Sequence, residues 1–556
     1  MKRIFLLVFL STTLLWGENR QQIAYLMRSR QVANSIDLYK KTQKELGRHD
    51  FEILEQLGAI LLEEGAHSED QEKRLLSILG LGYAGVSSSV DILNILERGI
   101  KASSPEAQML SIQFLGQLQD DRTEELLTKA MSSDFLITRL EAAFQLSSRK
   151  ERSALGQIES LMHKLPPFFR FYFPEFFARI GTTEAMGTLR QMIDDPNTQV
   201  RISAILSSAS YQRDDLIAKI RLKAKHGNEA EKEASLSALG HLNDANSLPL
   251  LKKMAASPTQ NISLAALRSL YLLADTSAKQ QIIEKAKAKN VLAIAMLADI
   301  SETADVLAEL VNDDNIQVRF NAGVSLLRHK DSRCQKVLNE ILIRDSRDLG
   351  FQPYFSTGAS LSALKVVPSA QQHQKKEMYD LIAMSLNFRD QVLKEAIELP
   401  EEDFLKIAKS IFYSSQTNLI PVLISLLENL QTPQALALLK EQTQRAGSPL
   451  IRAYCNLALF RLRQEGPYEL RLYEWLSNKK KDEMIRFRPL AARQPNRKES
   501  NFELTPEENS RLLIESYAAL AERHDSKSID ALLLALKEGS PKNRPLIAGL
   551  LLRAIQ

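Results

Sequence analysis

Two ten-residue stretches, Ser111–Asp120 (SIQFLGQLQD) and Ser235–Asp244 (SLSALGHLND), carry one pattern and lie 124 residues apart, four steps of 31. A fixed period of that length constrains the fold more than any single motif could. Each copy must build the same local element and bury its apolar face against the next, so the chain is expected to grow by stacking helical repeats. A fold of this kind offers a long surface, and its function is to be sought in what that surface holds.

Other landmarks fall on the same grid. Arg139 and Arg201 are two steps apart, each followed three residues later by Ala142 or Ala204, and Asn197–Arg201 recurs as Asn315–Arg319 with Ala322 answering Ala204. A weaker copy is Ile451-Arg452. Between these anchors apolar residues recur at three and four spacing, as in Leu264, Leu267, Leu270, Tyr271 and in Val306, Leu307, Leu310, Val311, which marks one face of a helix. Helix starts are signalled separately by a small polar residue before Pro, since the side chain caps unpaired N–H groups and Pro needs none. Seven such pairs occur, among them Ser104-Pro105, Asp195-Pro196, Ser257-Pro258 and Thr432-Pro433. Strand signals are poor; the best is the short Ile485–Pro489. The expected fold class is all-α, an α-solenoid of antiparallel helix pairs with a break near the middle.

An Asp or Asn turn, Val-Arg, Ala three residues after the Arg, and then Leu-Gly-x-Leu-x-Asp resembles bacterial HEAT repeats of the short phycobilisome-lyase type, over residues 68–331. The resemblance implies two antiparallel helices per repeat, Asp and Arg side chains linking neighbours, and Gly or Ala where helices approach closely. Gly116 and Gly240 suit the last role, and Asp120 and Asp244 are placed to cap the following helix. Glu233 stands where the pattern asks for Arg, which interrupts a continuous Asp–Arg ladder. Lyase-like activity is implied by the repeat name alone.

At 556 residues the chain exceeds what one compact core usually holds, about 250–300 residues, which favours an additive fold. Period, charge and apolar patterning together divide it into a signal peptide (1–17), an N-terminal helical cap (18–67), a repeat array (68–344), a connector (345–373), a second array (374–478), a basic irregular insertion (479–505) and a C-terminal helical cap (506–556). Met1-Lys2-Arg3, an apolar run to Trp16 and then Gly17 have the layout of a secretory signal. Export to the periplasm or beyond is therefore expected, with cleavage after Gly17; Leu15 fits the cleavage pattern poorly and leaves an uncleaved membrane anchor as the alternative. Cys334 and Cys455 are 121 residues apart, about four repeats, and at ~10 Å per helix layer such a separation exceeds disulfide reach. Both are expected to remain thiols in apolar helical surroundings.

Two segments break the pattern. Phe168–Phe177 holds seven aromatic rings in ten residues. A segment aromatic on every side cannot bury all its rings in one groove, so one or two should reach a surface and anchor a protein partner, with Phe168, Phe169, Phe173 and Phe176 as candidates. Arg471–Lys498 carries nine basic residues against three acidic ones, more net charge than the +4 of the whole chain. Lys479, Lys480, Lys481, Arg486 and Arg488 are its candidates for gripping an anionic surface or polymer. The eight His residues are scattered, with neither a His-x-x-x-His nor a His-Glu pair, and no phosphate loop or nucleophile elbow is present. No catalytic, cofactor-binding or metal-binding residue is proposed and no small-molecule substrate is expected; the modest net charge makes nucleic acid a poor candidate partner. The reading is an exported, non-enzymatic scaffold for protein–protein interaction or assembly in the cell envelope. Its alternatives are a binder of a membrane or anionic polymer through 471–498, and a lyase-like enzyme.

Overall fold

The computed structural model describes residues 19–85, 90–344, 388–445, 448–485, 504 and 506–556. The expected signal peptide, the connector 345–373 and most of the basic insertion, Arg486 and Arg488 included, lie outside the described residues, as does most of the strand candidate Ile485–Pro489. Among the described residues every regular element is a helix, as the repeat pattern predicts. None of these helices is long and apolar enough to cross a membrane. Contacts group the chain into two compact units, Ser147–Leu438 and a unit made from both ends, Met1–Leu146 with Leu439–Gln556.

Within Ser147–Leu438, antiparallel pairs follow one another: Ile217–His226 with Glu229–His241, Leu248–Ala255 with Gln260–Leu272, Ala304–Leu310 with Ile316–Arg328. The two members of a pair differ in kind. Helix Thr276–Lys287 buries a single stripe, Ala278, Ile282 and Ala286, at a spacing of four. Helix Gln260–Leu272 buries every residue from Ile262 to Leu270, because it packs on its own partner and also on the equivalent helix before it. Such contact on several sides explains the Ser, Ala and Gly content of these second helices, whose axes must come close.

Three kinds of polar link hold repeat to repeat. Hydroxyls of second helices donate to carbonyls of the equivalent helix one repeat earlier, Ser269 Oγ to Leu236 O at 2.7 Å and Ser325 Oγ to Ile294 O at 3.1 Å. The recurring Arg does not bind a turn carboxylate, as the Asp–Arg ladder requires. Arg201 and Arg319 instead donate to the turn carbonyls of Asp195 and Asp313, each at 2.6 Å and six residues earlier, and pair with Glu231 and Glu340. The turn carboxylates are met by a different set of cations lying 23 to 25 residues upstream: Asp195 by Arg170 at 2.8 Å, Asp244 by Arg221, Asp275 by Lys252 at 3.1 Å and Asp313 by Lys289 at 2.6 Å. The capping expectation divides accordingly. Asp120 caps helix Asp121–Ala130 through the N–H of Arg122, whereas the carboxylate of Asp244 makes no such cap and is held by Arg221 and Ser247.

The other unit is organised around helix Arg544–Ile555, in which Leu546, Ile547, Leu550 and Leu551 point to different sides and all are buried. It packs against Phe51–Ala66 and Gln71–Ala84 from the opposite end of the chain. The approach is close enough that a Cβ on Gly549 would stand 2.0 Å from the Gly80 carbonyl oxygen, and one on Gly58 would stand 2.7 Å from the Leu552 side chain. Lys542 Nζ lies 2.7 Å from Glu72, and Gln556 Nε2 donates to Ala84 O at 2.6 Å. Helices read from the sequence as two separate caps thus pack on each other. The physical reason is that a helix apolar on all sides needs neighbours on all sides.

Cys334 and Cys455 are both buried in their helical layers.

Candidate partner-binding surface

Pro166 and Pro167 set the backbone that presents the aromatic segment. Their fixed φ opens a 3-10 turn, Pro167–Tyr172, with the Phe169 N–H donating to Pro166 O at 2.9 Å. The winding changes at Tyr172, and Phe173–Ile180 continues as an α-helix with Pro174 in its first turn. That change divides the rings. Phe173, Phe176 and Phe177 turn into the core, Phe173 and Phe176 meeting edge to face with centroids 5.5 Å apart. Phe168 and Tyr172 face solvent, 61% and 45% exposed. Phe169 and Phe171 are half-buried between the two sets.

The exposed rings form one platform. Phe168 meets Phe169 in a tilted contact with centroids 3.8 Å apart, Phe169 lies 6.5 Å from Tyr172, and Tyr172 is 4.0 Å from Phe171. Its backbone is fastened from the next repeat, since Ser203 Oγ donates to Phe171 O at 2.7 Å and Arg170 reaches the buried carboxylate of Asp195. Behind it, Arg213 Nε donates to Ala178 O at 2.8 Å at the end of the following helix, where Gly181 takes the left-handed cap. A pre-ordered aromatic surface loses little conformational freedom on binding, the property that makes exposed Tyr and Phe effective anchors.

Two of the four aromatic candidates are therefore corrected. Phe173 and Phe176 are core residues, unavailable to a partner because the α-helical register carries them inward. Phe168 is exposed, and Phe169 lies against it. Tyr172 was not among the candidates, and α-helical spacing could not have placed it, because the segment winds as a 3-10 turn.

The described part of the basic segment is largely engaged with acids. Lys479 lies 3.4 Å from Asp482 and Lys480 pairs with Glu538, whose carboxyl is held below the usual range by that hydrogen bond. Asn543 fixes the same stretch, its side chain accepting from Met484 N at 2.9 Å and donating to Asp482 O at 2.7 Å. Lys481 is exposed.

A third polar group lies in the repeat array. His241, Arg268 and Asp299 come together, with Arg268 buried and 3.3 Å from Asp299, and the Nε2 of His241 is buried without a hydrogen-bond partner. Burial, and then the charge of Arg268, holds the imidazole below the usual histidine range. Among the described residues no three His, Cys, Asp or Glu side chains are grouped to hold a metal ion.

No family model matches this chain, and no curated protein matches it. Among solved structures, it is similar to the complex of CpcE and CpcF of phycocyanin lyase from a Nostoc species, with 18% identity over 44% of this chain and 92% of that one, at a TM-score of 0.25. It is also similar to YibA of Escherichia coli, with 16% identity over 59% of this chain and 98% of that one, at a TM-score of 0.25. Kap95p, in a structure concerned with its binding to RanGDP, matches at 12% identity over 86% of this chain and 76% of its own, with a TM-score of 0.32.

Proposed function

We propose that this chain is an exported, non-enzymatic scaffold that binds protein partners in the cell envelope, with Phe168 and Tyr172 as its anchoring residues. The observation that carries the reading is the pair of exposed rings on a turn tied down by Ser203 and by the Arg170–Asp195 ion pair. Singly exposed apolar side chains are ordinary, but neighbouring aromatic rings on an ordered backbone form a contiguous apolar patch of the kind that marks an interaction site. The repeat architecture supports the same reading, since stacked helix pairs present side chains at regular intervals along an extended surface. Export rests on the basic, apolar and small residues at the start of the sequence.

The anionic-surface alternative is the weaker one, because Lys479 and Lys480 already have carboxylate partners. Salt separates the two. Attachment through aromatic anchors is expected to change little between 50 and 500 mM salt, values chosen to shrink the Debye length from roughly 14 to 4 Å, whereas attachment through a basic segment weakens steeply.

The test is photo-crosslinking in the native cell from a residue beside the platform, comparing the wild type with the double variant Phe168→Ser, Tyr172→Ser. Loss of one specific crosslinked protein with an unchanged unfolding midpoint supports the reading; retention of that protein removes the platform from it. A mature N-terminus at Glu18 in the envelope fraction is the expected result for localisation, and recovery from the cytoplasm with Met1 retained would contradict export.

A further inference from the structure

In the unit built from both ends of the chain, helices Phe51–Ala66 and Gln71–Ala84 face a helix that is made more than 450 residues later. Their shared face holds Leu54, Leu57, Leu61, Leu62 and Leu76, all buried, together with glycines at Gly58, Gly65 and Gly80. The glycines matter because each lies against helix Arg544–Ile555 or its proline: added Cβ atoms would meet Leu552, Pro545 and the Pro545 carbonyl oxygen at 2.7, 2.6 and 2.5 Å. Gly549 supplies the matching notch from the other side. The fit is two-sided and specific to one register, since a shift of one residue would bring a Cβ into a backbone. Polar contacts fasten its edges, Lys542 to Glu72 at 2.7 Å and Gln556 Nε2 to Ala84 O at 2.6 Å.

We propose that the last helix is a clasp: Phe51–Ala66, Gln71–Ala84 and Arg544–Ile555 open and close as one cooperative element. The glycine-notched groove of the first two is a helix-binding site whose ligand is the chain's own final segment. Two consequences follow from that arrangement. The N-terminal helices have an unfilled apolar groove until residue 555 has been made, so this unit closes after the rest of the chain is available. Loosening the last helix loosens the first ones to the same extent, although they are separated by almost the whole sequence.

Hydrogen exchange on the full-length protein tests this directly. In Gly549→Leu, amides of 51–66, 71–84 and 544–555 are expected to exchange at least tenfold faster, by one common factor, while those of Glu229–His241 and Gln260–Leu272 keep their wild-type rates. Should that variant fail to accumulate, the double variant Lys542→Ala, Gln556→Ala leaves the apolar fit intact. It is expected to raise the three segments together by roughly threefold, the effect of losing weak, partly exposed links. A rise confined to 544–555 in either variant, or no rise anywhere, would overturn the proposal, because the N-terminal pair would then be a self-sufficient element.

Discussion

Arg221 reaches across to Asp244 in a two-point contact, Nε 2.7 Å from one carboxylate oxygen and the terminal nitrogen on the other, while Ser247 donates its hydroxyl to the same carboxylate. Asp244 is almost wholly buried there. Burial pushes its carboxyl up, but the Arg221 and Ser247 hydrogen bonds outweigh this and hold it below the usual range. Arg221→Met leaves the carboxylate buried without its cation, at an expected cost of about 2 kcal/mol near pH 7. Because the folded value is depressed, this contribution is complete above the unfolded value of about 4 and disappears as pH falls through the folded one. Urea midpoints of variant and wild type should therefore differ at pH 7 and converge as pH falls through the lowered folded value of Asp244.

A methyl group is expected to act in opposite directions at two glycines inside helices. A Cβ at Gly240 would stand 2.4 Å from Ser269 Oγ, and that hydroxyl is the one that donates to Leu236 O. Gly240→Ala forces the neighbour away and strains the link between repeats, an expected loss of about 1–3 kcal/mol. Gly187, inside helix Thr183–Met192, has open space around the same position. Gly187→Ala is expected to stabilise by roughly 0.5–1 kcal/mol, because the unfolded chain loses freedom while the helix loses nothing. Thermal or urea unfolding of the two variants distinguishes them by sign.

The period made the helix pairs legible because each repeat solves the same local problem. Close approach at Gly240 and Gly116, the latter against the Gln145 side chain, and the cap at Asp120 are local consequences of the pattern. What the pattern left hidden is set by contacts with no fixed spacing. The cations on the turn carboxylates sit 23 to 25 residues upstream, Arg221 and Lys252 on helices but Arg170 in a 3-10 turn and Lys289 in a turn beyond a helix end, so they leave no strict repeat. The Lys542–Glu72 and Gly549–Gly80 contacts join the two ends of the chain and have no periodic signature at all. At the aromatic segment, composition located the surface but could not divide it, because the switch from 3-10 to α winding at Tyr172 and Phe173 changes which residues share a side.

That division predicts opposite behaviour for two phenylalanines five residues apart. Phe173 is fully buried against Phe176, so Phe173→Ala creates a core cavity and is expected to cost about 3–5 kcal/mol. Phe168 is mostly in water, and Phe168→Ala is expected to stay within about 0.5 kcal/mol of wild type. Urea unfolding of the purified variants gives both numbers. A comparable loss for Phe168 would mean that its contact with Phe169 supports the fold, and would weaken its proposed role as an anchor.

Cys334 provides a test of how tightly the repeat layers close. Its thiol is fully buried, and burial pushes it up to about 12, with the charge of Asp331 acting in the same direction. Thiolate is the reactive form, so at pH 8 the folded chain should alkylate there at least a hundredfold more slowly than an ordinary exposed cysteine. Peptide mapping after brief iodoacetamide treatment checks this, and full reaction should require denaturant.

His241 makes the repeat array sensitive to mild acid. Its Nε2 is buried with no partner, and burial together with the nearby Arg268 charge holds the imidazole below the histidine value of about 6.5. The unfolded chain therefore binds a proton near pH 6 that the folded chain resists. Stability is undiminished by this group above about 6.5 and falls as pH drops from there toward the lowered folded value, after which no further loss accrues. His241→Gln removes the proton site while keeping a polar side chain, and it should flatten the dependence of the urea midpoint on pH between 7.5 and 5. The remaining carboxylates contribute in a lower range, so the two effects separate on the pH axis. A slope unchanged by His241→Gln would mean that the ring swings toward solvent when protonated and that its burial contributes nothing to the acid response.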